Sequence, residues 1–117
     1  MYNFDYQRPA DRAAATAAFK GDARYLAGGQ SLVQAMKMRL SNAERLVDLG
    51  AIADMKAIKA DASGVTVGAM ATHASVAASA EVRKAIPALA ELAGGIGDAM
   101  VRNMGTIGGS VAHNDPA

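Results

Sequence analysis

At 117 residues and 51% hydrophobic composition, the chain has apolar content for one compact core and too little length for two independent ones. Its 12 basic and 11 acidic residues are spread evenly and leave a net charge of +1, and only 4% of residues are aromatic. That composition offers no basic stripe and no stacking platform, and so argues against nucleic-acid binding. Cysteine is absent, which excludes disulfides, thiolate nucleophiles and a protein-ligated iron–sulfur cluster. His73 and His113 are the only imidazoles, too few for a dedicated metal site. Met1-Tyr2-Asn3-Phe4-Asp5-Tyr6 has neither the charged start nor the apolar run of a secretory leader. With no apolar stretch of about 20 residues, the expected location is the cytoplasm.

Tyr2 to Tyr6 alternates large apolar and polar residues and predicts a short strand. Pro9 opens a predicted helix over Ala10 to Lys20, with Phe19 on one face and Gly21-Asp22 as its stop. Tyr25-Leu26-Ala27 reads as a buried strand running into Gly28-Gly29. Ser31 then stands at the cap position of a helix over Leu32 to Leu40, in which Leu32, Met36 and Leu40 recur on one face. Leu46 to Leu49 is the next strand. This order makes a βαβ unit with parallel strands and a right-handed crossover.

Beyond Gly50, Ile52 to Met55 reads as a single turn, and Ala57–Ala60 with Val65–Met70 as a hairpin around Asp61-Ala62-Ser63-Gly64. Thr72 caps a helix running through Ala78, and Pro87 starts another over Ala88 to Ala93, stopped by Gly94-Gly95. The glycines at 105, 108 and 109 and Pro116 give Ala99 to Ala117 the character of a loop. A subdomain boundary is expected between about Leu49 and Ala60, dividing the chain into 1–55 and 56–117.

Two segments carry the chemistry: Ala27-Gly28-Gly29-Gln30-Ser31, followed by Leu32, and Thr106-Ile107-Gly108-Gly109-Ser110. Each joins adjacent glycines to a hydroxyl residue. Without Cβ atoms, backbone N–H groups can crowd round an anion such as phosphate. Ala27 to Ser31 alone also reads as an ordinary strand-to-helix turn; two such segments point to a ligand with adjacent phosphates, as in a dinucleotide. The Rossmann pattern does not fit, because Gly28 and Gly29 are adjacent and the third glycine is missing, although Asp48 lies 19 residues beyond Gly29. Asp48 is better read as a strand-end or cap residue. The Walker pattern fails as well. His113 reads as a polar loop residue rather than a base or a flavin attachment point, and His73 as the neighbour of a helix cap. Asp98 and Arg102 are read either as phosphate or ribose contacts or as a surface pair. The methionines are core filler.

Phe4-Asp5-Tyr6-x-Arg8-Pro9, Ala27 to Leu32, Leu46 to Leu49, Val67-Gly68-Ala69, Thr72-His73-Ala74 and Arg102-Asn103-x-Gly105 through Ser110 occur in an order that resembles the FAD-binding medium subunits of molybdenum hydroxylases, above all the carbon monoxide dehydrogenase type. The resemblance spans the whole chain. It implies an α+β FAD-binding fold of the vanillyl-alcohol-oxidase (PCMH) type, with a small βαβ subdomain followed by the start of a second α+β subdomain. By the same resemblance Ala27, Gly28, Gly29, Gln30, Ser31, Leu32, Thr106, Ile107, Gly108, Gly109 and Ser110 contact a non-covalent FAD, largely through main-chain N–H groups. No catalytic residue is implied. Electrons would come from 2Fe-2S clusters of a small subunit, reduced by a molybdopterin-containing large subunit, and pass to an external acceptor. Family subunits are considerably longer, so an acidic flavin contact after Pro116-Ala117 and a further domain are expected outside this sequence. The competing readings are a flavin-free interaction module that keeps the fold and, ranked last, a self-contained flavin oxidase. Local contacts near the second segment depart from the family around Ala99-Met100 and Met104.

Overall fold

The computed structural model describes residues 2–114. The chain forms two compact units, Met1–Ala53 and Asp54–Ala117, each with its own sheet.

The first unit is built from β1 (Asp5–Gln7), α1 (Arg12–Ala18), β2 (Ala23–Leu26), α2 (Leu32–Lys37) and β3 (Arg45–Asp48). Its sheet has the order β1-β3-β2, and both pairings are parallel. Asp5 and Ala23 both pair with Arg45, so the three strands start level, and β1 ends one residue before β2 and β3 at the same edge. Leu46 and Val47 of the central strand are buried, consistent with a parallel strand covered on both faces. Pro9 stays outside α1, because Asp11 takes the cap position: its Oδ1 accepts from the Ala14 amide at 2.7 Å. At the other end Phe19 leaves the helix and stacks on Tyr25, ring centroids 4.3 Å apart.

The apolar stripe of α2 holds for Leu32 and Met36, which pack with Ala43 and Leu46. It fails at Leu40, which is 81% exposed. The helix stops at Lys37 because Arg39 turns left-handed (φ 57°), with the Arg39 amide donating to Met36 O and the Leu40 amide to Ala35 O. That pair of bonds is a Schellman closure, with arginine where glycine is usual.

The second unit follows a 3₁₀ turn, Ala53–Lys56, with a hairpin of β4 (Ile58–Asp61) and β5 (Gly64–Val67), antiparallel as expected. Asp61 holds its turn by accepting from the Ser63 and Gly64 amides at 2.8 and 3.1 Å. Five helices come next: α3 (His73–Ala78), α4 (Ala80–Ala85), α5 (Pro87–Gly94), α6 (Ala99–Met104) and α7 (Ile107–His113). Thr72, Ser79, Asp98 and Thr106 cap four of them with side-chain oxygens. Ala71, Val76, Val82, Ala90 and Ala93 form the core, with Ile58, Val65, Val67 and Ile107 against it.

The expected loop from Ala99 is thus corrected up to Asn114: it is two short helices, and Asp115 to Ala117 lie outside the described residues. Gly108 misled the reading. Its role is close packing, since a Cβ there would stand 2.6 Å from the Ala69 carbonyl oxygen. Gly68 is tighter still, because its Cβ would meet the Met55 carbonyl while its amide donates to Ala57 O at 2.8 Å. Gly68→Ala is therefore expected to destabilise the fold by about 3 kcal/mol through overpacking against backbone, read as a lowered midpoint in urea unfolding.

Candidate functional site

The two glycine segments, alike in sequence, differ in what their backbones have left to offer. The first begins where β2 ends. There the Leu49 amide donates to Leu26 O at 2.9 Å and anchors the take-off point. The chain then turns through Gly29 at φ +79°, a conformation that side chains rarely adopt, and enters α2 at Leu32. Val33 and Ala35 donate back to the carbonyls of Gly29 and Ser31. Among the described residues, no protein acceptor takes the amides of Gly28, Gly29, Gln30 or Ser31. Ala27 to Gln30 are half-buried and Ser31 is exposed. Ser31 occupies the cap position of α2 without making the expected capping bond, because its backbone is already helical (φ −110°, ψ −50°) and does not turn its hydroxyl back onto the first turn.

The second segment is the first turn of α7, and its amides are spent. Ile107 donates to Ala71 O (3.0 Å), Gly108 to Ala69 O (2.8 Å), Gly109 to Thr106 Oγ1 (3.0 Å) and Ser110 to Thr106 O (3.1 Å). Thr106 is buried. The Ser110 hydroxyl lies 3.1 Å from His73 Nε2, and His73 is 5% exposed. His73 is therefore more than the neighbour of a cap: it ties the start of α3 to α7. Gly105 leaves it room, since a Cβ there would come within 3.0 Å of the imidazole Cδ2. His113, expected on a loop, sits exposed in the last turn of α7.

Of the two readings of Asp98 and Arg102, the surface pair does not form. Asp98 caps α6 through the Val101 amide (2.9 Å), and Arg102 Nη1 donates to the carbonyls of Ile96 (3.1 Å) and Gly97 (2.9 Å). Both side chains are committed to local structure. Among the described residues no group of three or more acidic or histidine side chains could hold a metal ion.

Sequence reasoning missed a cluster at the carboxyl end of the parallel sheet. Asp48 closes β3, and its carboxylate accepts from the Tyr6 hydroxyl and from the Gly50 amide (2.8 Å), while Arg8 Nε stands 3.5 Å away. Asp48 is a strand-end residue, as expected, and these partners occupy it. Tyr6 and Arg8 lie two apart on β1 and just after it, and that same-face spacing was the available signal.

The whole chain matches one family model, the FAD binding domain in molybdopterin dehydrogenase, over residues 2–117. The chain belongs to that family. It is 42% identical to the carbon monoxide dehydrogenase medium chain of Afipia carboxidovorans, covering 97% of this chain and 41% of the relative. The medium chain from Hydrogenophaga pseudoflava is 40% identical, with 97% and 40% covered. Among solved structures, carbon monoxide dehydrogenase from Hydrogenophaga pseudoflava superposes with a TM-score of 0.94 at 40% identity, covering 98% of this chain and 41% of that one. Quinoline 2-oxidoreductase from Pseudomonas putida 86 follows at a TM-score of 0.92 and 37% identity, covering 97% and 41%. The α+β FAD-binding fold is thereby established, and the chain spans about two-fifths of the length of these relatives.

The hydrogen bond to Asp48 is the main cause of a Tyr6 phenol held above its ordinary value, with desolvation and the Asp48 charge adding to it and Arg8 opposing. A raised folded value means that this group's contribution to stability is present below the unfolded tyrosine value and lost as pH rises through the folded one. Asp48→Asn is expected to bring the Tyr6 phenolate transition down in pH, measured by ultraviolet titration against a Tyr6→Phe reference.

Proposed function

We propose that this chain is the N-terminal, FAD-binding part of the electron-transfer subunit of a molybdenum hydroxylase of the carbon monoxide dehydrogenase type. The observation that carries the reading is the row of open amides at Gly28 to Ser31, half-buried up to Gln30, at the carboxyl end of a parallel sheet, in a chain of this family. Ligands in α/β structures gather at that edge. Gly29 and Gly28 keep the backbone accessible, so that phosphate oxygens can replace water at the N–H groups of Ala27 to Leu32. The fit with a diphosphate is therefore good on this segment.

The segment Thr106 to Ser110 contributes differently. Its amides from Ile107 to Ser110 already have acceptors within the chain, so it would meet the cofactor by close approach of glycine backbone and through its hydroxyl residues. Residues 1–55 serve as the first FAD-binding subdomain and 56–117 as the beginning of the second. The bound flavin supplies one- and two-electron redox chemistry, and the chain's own residues hold and orient it.

The relatives are named as medium chains of dehydrogenases or as the FAD-binding subunit of an oxidoreductase. By that likeness the partners of this chain are a molybdopterin-containing large subunit and an iron–sulfur small subunit. Electrons would reach FAD from the 2Fe-2S clusters of the small subunit and leave to an external acceptor. These 117 residues hold no cysteine and so supply no thiolate ligand to a cluster. Among the described residues no helix is long and apolar enough to cross a membrane, and the proposed location is the cytoplasm.

Two measurements test the reading. In a flavin titration, Gly28→Val is expected to weaken FAD binding by about 1–3 kcal/mol, the cost of depriving one buried acceptor of its partner. Gly109→Val is expected to weaken it because the added side chain blocks the close approach of the backbone. Unchanged affinity in folded variants contradicts the assignment. In acid denaturation followed by ultrafiltration the yellow colour is expected in the filtrate, since no cysteine is available for a thioether. Colour retained with the polypeptide contradicts a non-covalent cofactor.

A further inference from the structure

We infer that Arg8 is a further binding residue of the diphosphate site, a cation reaching across the carboxyl edge of the parallel sheet toward the open amides of Gly28 to Ser31. The inference rests on the flavin reading above and adds to it a residue outside both glycine segments.

The placement follows from the sheet order. β3 is central, with β1 on one side and β2 on the other. Arg8 follows β1, and the glycine segment follows β2. The Arg8 side chain does not stay on its own side: a Cβ at Gly50, just past the end of β3, would lie 3.2 Å from Arg8 Nη2 and 3.8 Å from Nε. The guanidinium therefore lies over the exit of the central strand. From there the exit of β2 is one strand spacing away, about 4.8 Å, and the Leu49 to Leu26 hydrogen bond draws the two exits together. Gly50 is the residue that admits this crossing.

Charge points the same way. The Asp48 side chain is 14% exposed and stands at the edge where the phosphates would bind, so a bare carboxylate there would repel them. Arg8 Nε faces Asp48 Oδ2 at 3.5 Å and offsets that charge. Tyr6 and the Gly50 amide hold the same carboxylate in place. Arg8 is itself 54% exposed, and an ion pair so open to water contributes little to folding. Its Nη1 and Nη2 groups make no hydrogen bond to protein among the described residues. A guanidinium that faces a carboxylate through one nitrogen, with its outer fork open, is an arrangement that can take phosphate oxygens in pairs.

The test is a two-dimensional NMR titration of the chain with inorganic pyrophosphate. The amides of Gly28 to Ser31 and the Arg8 Nε–H are expected to shift together, with one dissociation constant. Arg8→Gln is expected to weaken pyrophosphate binding about tenfold, the effect of losing a charged hydrogen bond, while the other backbone resonances stay in place. Arg8→Lys, which keeps the charge and loses the fork, is expected to recover part of that loss. An Arg8 Nε–H that does not move while the loop amides do overturns the inference, even if Arg8→Gln fails to fold. So does a folded Arg8→Gln variant that binds as the parent does. If the loop amides themselves do not respond, the diphosphate reading of the first segment fails, and the Arg8 assignment falls with it.

Discussion

The parallel pairing of β3 with a strand on each side is the constraint from which the candidate site follows. Because Asp5, Ala23 and Arg45 start level, all three chain exits emerge at one edge of the sheet. Arg8 meets Asp48 and Gly50, and the take-off point of the Gly28–Ser31 turn meets Leu49, for that reason, although these residues are far apart in sequence. The burial of Leu46 and Val47 fixes the central strand, and a one-residue slip would turn Asp48 away from Tyr6 and Arg8. Backbone hydrogen bonds thus position the charges, and apolar burial holds the register.

The resemblance between the two glycine segments hides a physical difference. A Gly-Gly-hydroxyl pattern reports that backbone can be approached closely, without saying by what. At Gly28-Gly29 the chain makes a left-handed turn, and among the described residues no acceptor takes the amides there. At Gly108 the close approach is used up by the Ala69 backbone, and the amides of the turn are absorbed by Ala69, Ala71 and the Thr106 cap. The second segment is first of all a packing device joining α7 to the strand-like chain before α3. His73 and Ser110 reinforce that joint with a buried polar contact, one that a hydrophobic replacement of either partner would leave half-satisfied.

Much of the first unit was legible because its signals are local. Leu46-Val47 announces a buried strand, Gly28-Gly29 a turn, and Leu32 with Met36 a helix face, and each appears where its pattern places it. Leu40 escaped because Arg39 closes the helix with a left-handed residue that propensity would assign to glycine. In the second unit the Asp61–Gly64 turn and the Thr72 cap were readable. Helices α4, α6 and α7 were not, since they are only six or seven residues long and depend on caps and packing rather than on periodicity. The side-chain cluster at the sheet edge was only half legible: the spacing of Tyr6 and Arg8 puts them on one face, but Tyr6 meets Asp48 across 42 residues through strand order.

Amide hydrogen exchange with and without FAD most directly tests the claim that the first segment offers free donors while the second does not. Without cofactor the amides of Gly28 to Ser31 should exchange rapidly, and those of Ile107 to Ser110 should be protected by their acceptors in the chain. With FAD, protection should appear at Gly28 to Ser31 and change little at Gly108 and Ser110. Loop amides already protected in the free chain, or left unprotected at saturating FAD, would contradict the claim.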